Sequence, residues 1–418
     1  MKLGVIADDF TGATDIASFL VNNGMTTIQL NGVPTEEIAE QTDAIVVSLK
    51  SRACAPEIAV EQSLAAFKWL KKQGCQRFYI KYCSTFDSTA KGNIGPVTDA
   101  LLNELEETIT IISPALPVNG RTVYQGYLFV MDQLLSDSGM RNHPINPMHD
   151  SSLIRLMEQQ AQGKCGLVDM ATIERGAKAV KDKIAQLKQQ GYRYVVLDAT
   201  KNEHLFIQGE AVKDLKLVTG GSGLAIGLAK QWARNDMNPE KAQSLGRPKG
   251  TKCVVLSGSC SVMTNQQVLN YQKIAPSYAI DVEKCIASID TYSKAIVQWI
   301  LANSQGKYAP LIYATTNPQE LSAIQQKWGL ETSSQAVEAL FAKIAMQLRQ
   351  LGYDKFIVAG GETSGIVSNA LAVKGFYIGP TIAPGVPWVK GIDSDIYLTL
   401  KSGNFGDEYF FVKAQGEF

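Results

Sequence analysis

The stretch Phe356-Ile357-Val358-Ala359-Gly360-Gly361-Glu362-Thr363-Ser364-Gly365 joins an apolar run of strand length to a loop rich in glycine. Because glycine lacks a Cβ, such a loop can point several backbone N–H groups at one anion. The same pattern also fits a tight turn between a strand and a helix that binds nothing. The stretch therefore predicts a strand, a loop and a helix, with phosphate binding as one of two hypotheses for the loop.

The alternation of apolar runs and helical stripes recurs along the whole chain. Apolar runs of four to seven residues, each followed by a polar loop, predict strands, and the segments 59–72, 172–190 and 336–351 carry apolar residues at helical spacing. This rhythm is typical of an α/β fold whose sheet is mostly parallel and flanked by helices. We predict strands at 3–7, 26–30, 44–48, 77–81, 109–112, 194–197, 253–256, 311–314 and 356–359, and hairpin-like strands within 378–411.

The length of the chain predicts more than one domain. A chain of 418 residues exceeds the usual size of a single hydrophobic core. The segment 231–251 is polar and contains two prolines and two glycines, which is typical of a linker. We predict an N-terminal domain at 1–235, a linker at 236–252 and a C-terminal domain at 253–418.

The composition favours a small-molecule partner. Lys and Arg total 40, as do Asp and Glu, so there is no electrostatic argument for a nucleic acid or an anionic membrane as partner. The seven cysteines form no Cys-x-x-Cys pair, and no apolar run reaches the ~20 residues of a membrane span. We expect a cytoplasmic protein; a homo-oligomer is compatible with the sequence.

Three glycine and hydroxyl loops lie in the second half of the chain. They are Ser257-Gly258-Ser259, the loop at 360–365 and Ser402-Gly403-Asn404-Phe405-Gly406. Backbone amides and hydroxyls at helix N-termini are suited to a polyphosphate, so the three loops together favour a nucleotide site. The Walker and dinucleotide signatures are absent from the sequence, which predicts a phosphate site of another kind.

Carboxylates and cations dominate the strand ends of the first half. Asp8 and Asp9 could hold substrate hydroxyls or act as a base, but they equally fit the N-cap of a helix. The run 81–95 is dense in hydrogen-bonding groups, which fits a hydroxy-acid ligand or a solvated turn. Arg52 could clamp a carboxylate or lie on the surface.

The order of these motifs resembles the four-carbon acid sugar kinase family. The resemblance rests on successive motifs from the first strand to the last few residues: Ala7-Asp8-Asp9-Phe10-Thr11-Gly12-Ala13-Thr14-Asp15, Lys81-Tyr82-Cys83-Ser84-Thr85-Phe86-Asp87-Ser88, Gly92-Asn93-Ile94-Gly95, Thr219-Gly220-Gly221-Ser222-Gly223, Gly360-Gly361-Glu362-Thr363-Ser364 and Lys401-Ser402-Gly403-Asn404-Phe405-Gly406. It implies ATP-dependent phosphorylation of the terminal hydroxyl of a four-carbon sugar acid, with the active site in a cleft between an N-terminal substrate domain and a C-terminal nucleotide domain. Within the family the motifs are most similar to those of enzymes acting on 3-oxo-tetronate.

The resemblance and the residues together predict a site. The resemblance implies nucleotide contacts at Ser257, at 360–363 and at Gly403, and we add Gly258 and a Mg²⁺ contact at Glu362. Asp9 or Asp87 is predicted as the base. The remaining substrate-binding predictions are Asp8, Arg52, Lys81, Ser88 and Asn93. Two alternatives remain: a kinase for erythronate or threonate, and a non-catalytic sensor that binds nucleotide and a sugar acid.

Overall fold

The computed structural model describes residues 2–38, 42–143, 145–232 and 238–418. The chain divides into two compact units, Met1–Ala242 and Gln243–Phe418. The predicted linker at 236–252 contains a short helix, Pro239–Ser244, while residues 236 and 237 lie outside the described residues. The domain limits at 235 and 253 stay a prediction.

The N-terminal unit is built on a parallel sheet of eight strands. They are β1 (Lys2–Ala7), β2 (Thr27–Asn31), β3 (Ala44–Ser48), β4 (Cys75–Lys81), β5 (Thr110–Ser113), β9 (Lys164–Val168), β10 (Tyr192–Leu197) and β11 (Leu217–Gly220). Their order in the sheet is β2-β3-β1-β4-β11-β5-β10-β9. A separate antiparallel sheet comprises β6 (Arg121–Tyr124), β7 (Tyr127–Val130) and β8 (Gln133–Leu134).

Helices connect the parallel strands of this unit. They are α1 (Phe10–Asn22), α2 (Pro56–Lys72), α3 (Ile94–Glu104), α4 (Leu153–Gln160), α5 (Met170–Ile173), α6 (Ala177–Gln189) and α7 (Asn202–Val212), with 3₁₀ turns at Pro117–Asn119, Leu135–Asp137 and Gly139–Asn142. After the last strand follow α8 (Gly223–Trp232) and α9 (Pro239–Ser244), and α9 contains the boundary between residues 242 and 243. The segment 172–190, predicted as one helix, is divided between α5 and α6 because Gly176 has φ +91°.

The C-terminal unit contains a sheet of seven strands. They are β12 (Cys253–Ser257), β13 (Ser277–Ala279), β14 (Leu311–Tyr313), β15 (Lys355–Ala359), β16 (Gly375–Ala383), β17 (Val386–Gly391) and β18 (Tyr397–Lys401). Their order in the sheet is β13-β14-β12-β15-β18-β17-β16. The first five in the sheet order run parallel, whereas β16 and β17 form the predicted antiparallel hairpin and β17 pairs antiparallel with β18.

Most helices of the C-terminal unit begin after a side-chain N-cap or a glycine. They are α10 (Val262–Tyr271), α11 (Val282–Ala287), α12 (Ile289–Ala302), α13 (Pro318–Trp328), α14 (Leu330–Gln350), α15 (Gly361–Ala370) and α16 (Phe410–Lys413). In α14 the predicted apolar stripe is buried, for example at Leu340, Phe341 and Ile344. The α/β fold with helices flanking a mostly parallel sheet is therefore confirmed.

Strand composition explains this architecture. Residues 3–7 of β1 and every residue of β3 are buried, as expected for strands covered by helices on both faces. In parallel sheets the carboxyl ends of the strands meet at one edge, and ligands bind there. No described helix has the length and apolar character needed to cross a membrane.

Candidate functional site

Two adjacent carboxylates follow β1 at the carboxyl edge of the N-terminal sheet. Asp9 is the N-cap of α1, with its Oδ1 accepting from the Gly12 N–H at 3.1 Å and its Oδ2 accepting from Thr11 Oγ1 at 2.9 Å. The N-cap alternative is therefore what the structure shows for Asp9. Its role as a base stays a prediction, and both of its oxygens already have donors.

Arg52, which follows β3 in the chain, binds both carboxylates. Its Nε and Nη2 donate to the two oxygens of Asp8 at 2.9 and 2.8 Å, and Nη2 also donates to Asp9 Oδ1 at 2.6 Å. Its Nη1 lies 3.7 Å from Asp87 Oδ2. Arg52 is thus no solvated surface residue but the cation of a three-carboxylate cluster. Whether it also clamps the substrate stays a prediction.

The charges of this cluster determine the ionisation of the two adjacent carboxyls. Burial acts to raise the pKa of both, and for Asp8 it outweighs Arg52 and raises the pKa. For Asp9 the charges of Arg52 and Lys81, with the hydrogen bonds from Thr11 and Gly12, overcome burial and lower the pKa. Asp9 is therefore the more firmly ionised carboxylate of the pair.

Asp87 lies in a backbone conformation that L residues rarely adopt. Phe86 and Asp87 have φ values of +65° and +48°, and Thr85 Oγ1 donates to Asp87 Oδ1 at 2.7 Å. Consecutive left-handed residues that are not glycine cost energy and often occur at functional sites. Among the described residues Asp87 Oδ2 accepts no hydrogen bond, its nearest cation being Arg52 Nη1 at 3.7 Å.

Ser88 and Asn93 hold the loops of this cluster in place. Asn93 Nδ2 donates to the carbonyls of Ser51 and Cys54 at 2.6 and 2.9 Å and so fixes the segment that carries Arg52. Ser88 Oγ donates to Gln160 Oε1 at 2.8 Å, and the same oxygen accepts from the Gly95 N–H at 2.9 Å. Asn93 Oδ1 is buried and has no hydrogen-bond partner among the described residues, which leaves one acceptor for a ligand or a water molecule.

A buried pair of charged residues that the sequence pattern did not predict lies beside this cluster. Lys81 is 2% exposed, and its Nζ lies 3.8 Å from Asp15 Oδ2, which accepts from Ser222 Oγ at 2.6 Å. Asp15 Oδ1 is buried without a partner among the described residues, and burial raises the pKa of Asp15. Asp15 and Ser222 both fall in motifs that resemble those of the family. Because 207 residues separate them in the chain, their spacing gave no indication that they are in contact.

A cavity of about 20 Å³ opens among the cluster residues Asp8, Arg52, Asp87 and Asn93. It has room for about one water molecule. A larger ligand must therefore bind across the outer face of the cluster or displace its loops. The structure brings all the predicted N-terminal site residues to the same edge of the sheet, but packs them mainly against each other.

In the C-terminal unit the loops after β12 and β15 are in direct contact. A Cβ added to Gly258 would lie 2.2 Å from Thr363 Oγ1, so that only glycine fits there. Gly360 has φ +124° and precedes α15, whose N-terminus has no side-chain cap. Uncapped first-turn N–H groups favour an anion.

The remaining predicted nucleotide residues differ in their access to solvent. Ser257 is fully buried, and its Oγ pairs with Thr315 Oγ1 at 2.7 Å, so that a nucleotide contact through this hydroxyl stays a prediction. Gly361 and Glu362 are exposed in the first turn of α15. Gly403 packs on the first loop, since a Cβ there would lie 2.9 Å from Ser259 Oγ. The three loops therefore converge.

Among the described residues no three His, Cys, Asp or Glu side chains form a group that could hold a metal ion. Glu362 is accordingly a single carboxylate beside the amide-rich loops. Such a donor fits Mg²⁺, which is commonly held by one or two carboxylates together with substrate phosphates and water.

Two domain families match the two units. The family of sugar-binding N-terminal domains matches residues 3–228, and the family of nucleotide-binding C-terminal domains matches residues 254–411. The chain thus has one domain of each class. This agrees with the carboxylate and hydroxyl loops of the first unit and the glycine loops of the second.

Similarity to individual proteins extends over the full length. The chain is 62% identical to the 3-oxo-tetronate kinase of Pectobacterium atrosepticum, covering 100% of this chain and 99% of that protein, and 59% identical to the Salmonella typhimurium enzyme of the same name, with the same coverage. A solved structure from Salmonella typhimurium LT2 has a TM-score of 0.93 at 58% identity and covers 100% of this chain and 99% of that one. A Haemophilus influenzae structure has a TM-score of 0.83 at 56% identity, with 99% coverage of both chains. The chain belongs to the four-carbon acid sugar kinase family.

Proposed function

We propose that the protein transfers the γ-phosphoryl group of ATP to the 4-hydroxyl of 3-oxo-tetronate, giving the 4-phosphate and ADP. The observation that carries this proposal is the full-length similarity to several enzymes named 3-oxo-tetronate kinase, at 62%, 59% and 57% identity. The chemistry of both units supports it, since one presents carboxylates and cations at a strand edge and the other presents backbone amides.

Phosphoryl transfer makes limited demands on the protein. The transition state is loose, so that catalysis depends on in-line positioning and neutralisation of phosphate charge rather than on covalent chemistry. The uncapped first turn of α15 and the loops at 257–261 and 402–406 offer N–H groups for the polyphosphate. Glu362 would hold Mg²⁺, which neutralises phosphate charge when it is bound.

Asp87 is the better candidate for the residue that accepts the proton of the 4-hydroxyl. Asp9 accepts hydrogen bonds on both oxygens and has a lowered pKa, so that it is a weak base whose role is to cap α1 and hold Arg52. Asp87 has one oxygen without a hydrogen bond among the described residues and sits on a strained backbone. A positioned carboxylate is the usual means of orienting an acceptor hydroxyl in a kinase.

The remaining expectations concern the surroundings of the enzyme. All seven cysteines are free thiols in the structure, which supports action in the reducing cytoplasm. The substrate acid and ATP are the only partners that we propose.

The test is an ADP-release assay with MgATP over a panel of 3-oxo-tetronate, erythronate and threonate. We expect 3-oxo-tetronate to give the highest kcat/KM and phosphorus NMR to place the new ester at carbon 4. Preference for erythronate or threonate would correct the substrate. ATP turnover that no acid of the panel stimulates would contradict the kinase assignment and favour a sensor.

Asp87→Asn and Asp9→Asn separate the two candidate bases. We expect Asp87→Asn to lower kcat by 10²-fold or more, the usual order for loss of a general base, with binding of the acid retained. Asp9→Asn should act chiefly on stability through α1 and Arg52. Near-normal kcat in Asp87→Asn would remove Asp87 from this role.

A further inference from the structure

A buried lysine lies directly beneath the loop at 402–407, which we term the carboxy-terminal glycine loop. Lys401 is the last residue of β18 and is fully buried. Its Nζ donates to the carbonyls of Ser402 and Gly403 at 3.0 and 2.6 Å and to Thr264 Oγ1 at 3.0 Å. These three acceptors use all three donors of the ammonium group.

Two side chains of α10 bind further carbonyls of the same loop. Thr264 Oγ1 donates to the Gly403 carbonyl at 2.7 Å. Gln267 Nε2 donates to the carbonyls of Phe405 and Asp407 at 3.1 and 2.9 Å. Both side chains are fully buried. Four carbonyls of the loop therefore point inward onto three buried side chains.

The orientation of the carbonyls determines where the amides of the loop point. Successive peptide groups whose carbonyls are fixed inward present N–H groups toward solvent, as in an anion-binding nest. The N–H groups of Gly403, Asn404 and Gly406 donate to no described residue. The loop also packs on Ser259 and Ser261, because a Cβ at Gly403 would lie within 3.0 Å of both side chains.

We propose that Lys401, Thr264 and Gln267 are positioning residues for nucleotide binding, holding the carbonyls of the carboxy-terminal glycine loop inward so that its N–H groups receive the phosphates of ATP. This rests on the proposed function and adds three residues to it, none of which touches the nucleotide. Burial lowers the pKa of Lys401 to about 7, because desolvation disfavours the ammonium form. Negatively charged phosphates above the loop favour that ammonium form, which in turn adds a positive field beneath them.

The decisive measurement is the Kd of MgATP by calorimetry, with the KM of each substrate as a second readout. Thr264→Val, which keeps the shape and removes the hydroxyl, should raise the Kd of MgATP about 5- to 10-fold, the effect of one net hydrogen bond. Thr264→Ser, which keeps the hydroxyl, should stay within about twofold of the wild type. Lys401→Met should raise the Kd by more than 30-fold, since charge-assisted bonds are stronger.

The control is Lys355→Met, at the amino end of the neighbouring strand β15, which should leave the Kd of MgATP unchanged. The KM for the acid should change less than the Kd of MgATP in every variant. If Lys401→Met does not fold, the Kd values of Thr264→Val, Thr264→Ser and Gln267→Met test the inference. Wild-type Kd in Thr264→Val and Gln267→Met would overturn the inference, as would a wild-type chain that does not bind MgATP. A wild-type chain that binds MgATP but phosphorylates no acid would contradict only the proposed reaction.

Discussion

Replacing Arg52 with methionine should destabilise the N-terminal unit by about 2–4 kcal/mol at neutral pH. The guanidinium makes three charge-assisted hydrogen bonds of 2.6 to 2.9 Å to the carboxylates of Asp8 and Asp9. Removing one partner of a buried ion pair typically costs about 3–5 kcal/mol. Because the three side chains remain 17–26% exposed, solvent screening reduces that figure.

The loss of stability in Arg52→Met should become smaller as the pH falls. In the wild type, Arg52 and Lys81 lower the pKa of Asp9 against the effect of burial, so this contribution to stability is complete above the unfolded value of about 4 and is lost below it. In the variant, burial and mutual repulsion oppose ionisation of the two adjacent carboxyls. The free-energy cost of ionising these buried carboxyls sets in as the pH rises above about 4. The difference in stability between the wild type and Arg52→Met should therefore be larger at pH 7.5 than at pH 4.5.

The assay is urea unfolding followed by hydrogen-exchange mass spectrometry of peptides from β1 and α1, because a chain of two units does not unfold as one. Arg77→Met is the matched control: its side chain is also 22% exposed, but its guanidinium donates to the Leu215 carbonyl at 2.9 Å and lies 4.0 Å from Asp214, which is 61% exposed. We expect the control to lose at most about 1 kcal/mol, and Asp8→Asn to restore part of the stability of Arg52→Met. Two results would refute the assignment of Arg52 as the cation of the cluster. One is a loss of stability in Arg52→Met no larger than that of Arg77→Met, and the other is the same loss at both pH values.

Three further predictions concern other contacts of the two units. Ser222→Ala removes the hydroxyl that donates to Asp15 at 2.6 Å and should lower the free energy of unfolding by about 1.5–3 kcal/mol. This loss should increase as the pH rises through the raised pKa of Asp15. Urea unfolding measures it, with Ser18→Ala, which loses only a bond to a backbone carbonyl, as the control. Asn93→Asp replaces the donor to the carbonyls of Ser51 and Cys54 by an acceptor and should lower kcat/KM for the acid at least tenfold. A kcat/KM equal to that of the wild type would mean that Asn93 does not position the segment carrying Arg52. Gly258→Ala places a Cβ 2.2 Å from Thr363 Oγ1 and should raise the Kd of MgATP at least tenfold. Gly306→Ala lies outside the three glycine loops, its Cβ would be 3.7 Å from the nearest atom, and it should leave the Kd unchanged. Similar values for both variants would contradict the close packing of the loops after β12 and β15.

Several elements could be read from the sequence because their signals are local. The strand predicted at 44–48 and the apolar stripe of α14 follow from short-range periodicity and appear as β3 (Ala44–Ser48) and buried residues of α14. The segment 113–152 could not be read this way. Its prolines and glycines interrupt any strand pattern, yet it contains the antiparallel strands β6–β8, whose short pairs depend on partners rather than on periodicity.

The sequence by itself determined the class of each site. Polar loops placed after apolar runs, and glycine loops in the second half, are properties of residue order, so that carboxylates and cations were assigned to one unit and amides to the other. Only the tertiary structure decided which of these groups pair. Asp15 meets Ser222 across 207 residues, and Gln267 meets Asp407 across 140. Parallel strands bring such loops together at one sheet edge through crossovers whose order no local pattern encodes, which is why the buried partners of the predicted site residues became visible only in the fold.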